Sequence, residues 1–270
     1  SLLARVYPAA MIGAILDEHG CNSKRIRSVP AVAGTYFCMA LSLYPEAAYE
    51  HVFAVVSQGL SWMQGHDSEV TIAKSSLSEM RGKIGFGPLQ TVVARACVPL
   101  ADAQRHPDAF YAGLRVVAID GSNLDVADEP DNISVFGYPG SRTGHAGYPQ
   151  AQCAVLVECA SHAILAANLG AYRESEWAIC KPLLASLDAG MLCLADRGFN
   201  GYTHWATAQA TGAHLLWRCA NNRTLPVVTA LRDGSYLSVI YPSGTTSKKQ
   251  RQASSQGITV RVIDYALPNI

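Results

Sequence analysis

The chain has 270 residues, 49% of them hydrophobic, and its 21 basic and 21 acidic side chains balance to zero net charge. That length supplies one full core and a smaller second one, so one or two domains are expected. No apolar run reaches the ~18 residues of a bilayer-spanning helix, which excludes a helical membrane protein.

The first twenty residues, SLLARVYPAAMIGAILDEHG, are broken by Pro8, Asp17 and Glu18. They read as an amphipathic helix rather than a signal peptide, in a chain that begins without an initiating Met. The eight cysteines are scattered and form no CxxC pair. They are expected as small buried hydrophobes in a reducing cytoplasm, and the equally dispersed histidines offer no zinc site.

Further helices are expected over Pro30–Leu43, Pro45–Trp62 and Thr71–Ile84. Apolar residues recur at helical spacing in the second of these, at Ala48, Val52, Val55, Val56 and Leu60. Gly85 and Gly87 end the third, and Pro88 opens a fourth over Leu89–Leu100. A connector, 101–110, follows, so the domains are placed at 1–110, all-α, and 111–270.

The pattern then changes to strands: Leu114–Ile119, Gln150–Glu158 and Ala163–Leu169, the last two joined by a tight turn at Ala160–His162. Glu174–Leu187 reads as a helix with Ser175 as its N-cap candidate. Met191–Ala195 reads as a strand, Tyr202–Thr211 as a helix and Ala213–Arg218 as a strand. Hairpins mixed with βα crossovers imply a mixed α/β sheet flanked by helices. A β-rich region follows at about 225–264, where Asp233-Gly234 is a two-residue hairpin signal and 242–257 a polar, basic loop.

Two apolar strands run into carboxylates, VVAIDGS at Asp120 and LCLADRGF at Asp196. A carboxylate held at a strand end is costly to desolvate unless a cation offsets it. Mg²⁺ suits such a site, and two such ions ~3.5–4 Å apart assist in-line phosphoryl transfer. Either residue is also compatible with a local role: Asp120-Gly121 with a turn, Asp196 with a helix N-cap. The glycine-rich stretch 137–147 lacks the Gly-Lys-Ser/Thr of a P-loop. Trp205 and Trp217 are expected in the core.

Charge is segregated. Residues 197–263 hold eight basic side chains and one acid, Asp233. That excess suggests a polyanion surface, with Arg197, Lys248, Lys249 and Arg251 as candidate DNA contacts; a solvated loop without a partner is the alternative.

VVAIDGS, VFGYPGSRTGHAGYPQ, LGAYRESEW and LADRGFNGYTHW, in that order, resemble the transposases of insertion element four, and SSLSEMRGKIGFGPL resembles their helical N-terminal region. The resemblance covers nearly the whole chain. It implies a DDE transposase with an RNase H-like core and a β-rich insertion after the fifth core strand. Asp120 and Asp196 match the first two catalytic, metal-binding acids. The third is a glutamate in a Tyr-Arg-Glu-Lys signature beyond the insertion. No such signature stands there, the last glutamate is Glu176, and the Tyr-Arg-Glu of 172–174 precedes the second aspartate. The chain is therefore expected to be truncated before its third acid and inactive alone.

The implied partners are double-stranded DNA, as terminal inverted repeats and target, with self-association on DNA. The implied reaction is Mg²⁺-dependent cleavage at transposon ends followed by strand transfer. A metal-dependent nuclease or resolvase of the same fold, or a non-catalytic DNA-binding remnant, are the alternatives.

Overall fold

The computed structural model describes residues 2–23, 29–63, 72–141, 144–145, 147–220, 223–243 and 256–265. The chain divides into two compact units, Ser1–Cys97 and Val98–Ile270.

The first unit is helical: α1 (Leu2–Val6), α2 (Ala9–Glu18), α3 (Ala31–Leu41), α4 (Tyr49–Met63), α5 (Lys74–Ile84) and α6 (Gly87–Ala96). The single helix expected at the N-terminus is two, because Pro8 disfavours helical backbone at the residue before it and takes an extended ψ of 141° itself. Helix α3 is apolar nearly all round and packs against α2, α4 and α5. Tyr36 and Phe37 of α3, Ile12, Ile15 and Leu16 of α2, Val52 and Phe53 of α4 and Leu77 of α5 form the core. Gly34 lets α5 approach closely, since a Cβ there would lie 2.1 Å from Met80 Sδ. Pro88 sits in the first turn of α6, where its missing N–H costs nothing. His19, the C-cap of α2, hydrogen-bonds Thr91 of α6 at 2.8 Å.

The second unit contains β1 (Phe110–Tyr111), β2 (Leu114–Asp125), α7 (Pro130–Phe136), β3 (Gly140–Ser141), β4 (Gly144–His145), β5 (Gln150–Glu158), β6 (Ile164–Ala171), α8 (Glu176–Cys180), β7 (Met191–Ala195), α9 (Tyr202–Gln209), β8 (His214–Trp217), β9 (Thr229–Ala230), β10 (Tyr236–Ile240) and β11 (Ile258–Val262). The main sheet runs β6-β5-β2-β7-β8, with β1 on β2, and β11-β10-β9 form a separate small sheet. The pairs β6–β5 and β5–β2 are antiparallel, and β2–β7 and β7–β8 are parallel. This is the mixed sheet expected from the alternation of hairpins and crossovers. Val117 and Ile119 of β2, Cys193 of β7 and Trp217 of β8 bury together with Ile179, Leu183, Leu184, Phe199 and Ala208, and Trp205 packs on the same cluster.

Several boundaries depend on tertiary pairing. Strand β2 continues past Ile119 to Asp125 because β5 pairs with it as far as Asp125↔Gln150. Ser175 is the N-cap, its Oγ accepting the Ala178 N–H at 3.2 Å. The helix it starts is short: Pro182 has no N–H to continue it, and Lys181–Ser186 tightens to a 3₁₀ helix. At Asp233-Gly234 the turn is longer than two residues, since Ala230 faces Tyr236; Gly234 supplies the φ of 85° it needs.

The segment expected as a connector is tied into the second unit. Glu158 is wholly buried, paired with Arg115, and accepts the N–H groups of Leu100 and Ala101 at 3.2 and 2.9 Å and the Ser161 hydroxyl. Burial pushes its carboxyl up, but the Ser161, Ala101, Arg115 and Leu100 hydrogen bonds together hold it below the ordinary range.

Candidate active site

The parallel ladder between β2 and β7 ends at Ala118↔Leu194. Asp120 and Asp196 each lie two residues further on. Strand side chains alternate between faces, so each aspartate shares the face of the paired residue before it. Asp196 keeps an extended backbone, with φ −77° and ψ −177°. The two residues therefore stand level, on one face, at the carboxyl end of the central parallel pair. Asp120 lies within β2 rather than at its end; what stops before it is the pairing with β7.

Each carboxylate is oriented by one backbone donor. Oδ1 of Asp120 accepts the Gly121 N–H at 2.9 Å, and Oδ1 of Asp196 accepts the Gly198 N–H at 2.6 Å. The second bond caps the 3₁₀ turn Arg197–Phe199, so Asp196 is indeed an N-cap, and capping occupies only one of its oxygens. Both residues are exposed, and among the described residues the other oxygen of each has no partner. Asp120 is not in a turn; it pairs with Val155.

Sequence reasoning passed over Glu176, set aside because it precedes the second aspartate. The crossover from β6 to β7 brings it back to the strand ends. A Cβ on Gly121 would lie 2.9 Å from Glu176 Oε1, and one on Gly198 3.2 Å from Oε2. The carboxylate thus spans the gap between the segments that follow Asp120 and Asp196. Partial burial raises its pKa, and the charges of Asp196 and Asp120 raise it further. Trp177 braces the helix beside it, stacked on His204 with centroids 4.0 Å apart and edge-on to Phe199 at 6.3 Å. The local signal for this placement was Ser175: the cap starts α8 at Glu176.

A groove of 390 Å³ opens beside Glu176, lined also by Gly121, Ser122, Asn123, Gln152 and Cys153. Burial pushes the Cys180 thiol up to about 12, aided by the Glu176 and Asp120 charges, so this thiol stays protonated.

Arg197 is exposed beside Asp196, with no side-chain partner among the described residues. Lys248, Lys249 and Arg251 lie outside the described residues. Of the other basic side chains after Asp196, Arg261 pairs with Asp233, and Arg223 donates to Asn200 Oδ1 at 3.1 Å. All eight cysteines are free, and Cys180 and Cys193 are buried. No helix among the described residues is long and apolar enough to cross a membrane.

The donor set at the strand ends suits a hard divalent cation: carboxylate oxygens on rigid backbone, one on each aspartate without a partner. Among the described residues no three His, Cys, Asp or Glu side chains are grouped so as to hold one metal ion. Asp120 and Asp196 are the exposed carboxylates that the ends of this parallel pair present.

Residues 1–94 match the family described as insertion element 4 transposase N-terminal. The chain is 27% identical over 211 residues to the transposase InsG for insertion sequence element IS4 of Escherichia coli K12, covering 77% of this chain and 45% of that protein. It is 25% identical over 147 residues to InsZ of the same strain, covering 54% of this chain and 49% of that protein. The chain thus spans about half the length of these curated relatives. The helical unit is thus similar to the N-terminal region of insertion element 4 transposases, and over 77% of its length the chain is similar to the IS4 transposase InsG.

Proposed function

We propose that this protein acts as a DDE-type DNA transposase with an RNase H-like core, cutting phosphodiesters at the ends of its element and joining the freed strands to target DNA. The observation that carries the reading is the level placement of Asp120 and Asp196 on adjacent parallel strands. The strand order supports it: a three-stranded antiparallel run joined to two parallel strands, with β2, the first long strand, central. The separate sheet β9–β11 follows the fifth core strand, where the resemblance puts its insertion.

Asp120 and Asp196 would hold Mg²⁺, which when bound polarises the scissile phosphate and offsets the charge of phosphoryl transfer. The chain's own residues set the stage for this. The Gly121 and Gly198 N–H groups fix the two carboxylates, leaving one oxygen of each directed by the backbone rather than by solvent. Arg197, which has no side-chain partner among the described residues, supplies a cation next to Asp196, placed to attract a DNA phosphate.

No glutamate follows Glu176 in this sequence. The third acid implied by the resemblance is therefore not among residues 177–270, and these 270 residues by themselves are proposed to bind DNA and a divalent cation without cutting. Incubating them with transposon-end DNA and Mg²⁺ should give retarded DNA and no cleavage products. Cleavage abolished by Asp120→Asn would overturn the inactivity. Absence of both DNA binding and cation binding would overturn the assignment.

A further inference from the structure

Glu176 is a third negative charge set beside two others with no hydrogen bond or ion pair of its own among the described residues. Like charges gathered this way oppose folding unless something positive joins them in the working state. The backbone makes room for the arrangement at two independent points. Gly121 has no Cβ to place 2.9 Å from Oε1, and Gly198 none to place 3.2 Å from Oε2. Neither glycine has a positive φ, so it is the space, rather than the conformation, that calls for glycine.

The element that delivers Glu176 is held from several sides. Ser175 caps α8, Asn168 donates to the Ile179 carbonyl at 2.9 Å, and Ile179 seats over Gly170, where a Cβ would lie 2.8 Å from its Cγ1. Trp177 stacks on His204 and meets Phe199, which belongs to the turn that Asp196 caps. The position of Glu176 and that of Asp196 are thereby set by the same packing.

We infer that Glu176 is a positioning residue of the strand-end site: lodged between Gly121 and Gly198, it sets the separation of the segments carrying Asp120 and Asp196 and adds negative charge to the field a divalent cation enters. The inference rests on the assignment of Asp120 and Asp196 as cation ligands. It does not make Glu176 a ligand, since among the described residues no three acidic side chains are grouped to hold one ion. Its influence passes through the other two carboxylates, as that of residues bordering a metal's direct ligands does.

The test is calorimetric titration of Mn²⁺ alone into the chain, paired with the thermal unfolding midpoint in EDTA. Glu176→Gln keeps the shape and removes the charge; it should weaken Mn²⁺ about 10-fold while leaving the midpoint in EDTA unchanged or raised. Gly121→Ala, which keeps the charge and displaces the carboxylate, should weaken Mn²⁺ in the same direction and serves if Glu176→Gln folds poorly. Unchanged Mn²⁺ affinity in both variants overturns the inference, as does a fall in the EDTA midpoint that accounts for the whole loss. If the parent chain binds Mn²⁺ through Asp120 and Asp196 with an affinity that neither Glu176→Gln nor Gly121→Ala alters, this inference alone falls. If the parent binds none, the ligand assignment falls with it.

Discussion

Asp120 and Asp196 stand side by side, each two residues past Ala118 and Leu194, the last matched pair of the β2–β7 ladder. The consequence is that neither aspartate should act without the other. Asp120→Asn and Asp196→Asn should each abolish Mn²⁺ binding in titration calorimetry. Asparagine is the informative replacement at 196, because it still caps the 3₁₀ turn; alanine would add about 1 kcal/mol of capping loss. Asp196→Asn should therefore unfold at nearly the parent urea midpoint, whereas Asp196→Ala should not. Equal midpoints for the two would show that the cap contributes nothing.

Glu158 is wholly buried and paired with Arg115. Glu158→Ala would leave Arg115 without its carboxylate and two backbone donors without an acceptor, at a cost of roughly 3–5 kcal/mol. Hydrogen exchange should show the Leu100 and Ala101 amides losing protection in step. Because the folded carboxyl lies below its ordinary value of 4.5, its contribution is complete at pH above that value and fades as pH falls through the folded pKa. Acid unfolding of Glu158→Gln should accordingly be less steep than that of the parent. A parallel loss of stability with pH in both proteins would contradict this.

Gly34→Ala should cost about 1–3 kcal/mol by overpacking, since its Cβ would collide with Met80 at the α3–α5 crossing. Met80→Ala would relieve the collision. In a double-mutant cycle the pair should show coupling on the order of 1 kcal/mol in the compensating direction. Strict additivity in urea melts would mean that the helices simply move apart.

DNA affinity should fall with salt, with a slope of about −0.9 per phosphate neutralised. Replacing Lys248, Lys249 and Arg251 with alanine should flatten the slope by roughly 2–3 and weaken all sequences alike. Filter binding across a salt series reads this directly. An unchanged slope with intact binding would show that these three side chains neutralise no phosphate.

Local chemistry was enough to place much of the molecule. The strand Met191–Ala195 was legible from its apolar run before Asp196, the cap at Ser175 from its position before Glu176, and the start of α6 from Pro88. The two aspartates were legible for the same reason: a carboxylate that interrupts an apolar strand is conspicuous along the chain. Tertiary structure decided what depends on a distant partner. Strand β2 reaches Asp125 only because β5, from residue 150 onward, offers backbone groups to pair with. The levelness of Asp120 and Asp196 comes from the register of a parallel ladder between residues some eighty positions apart. Glu176 looked misplaced when read in chain order; the crossover through α8 carries it back to the strand ends, into a gap that exists because Gly121 and Gly198 lack side chains. Chain order ranks residues by sequence separation, whereas a carboxylate's charge acts over distance in space, and only the packed sheet brings those three acids together.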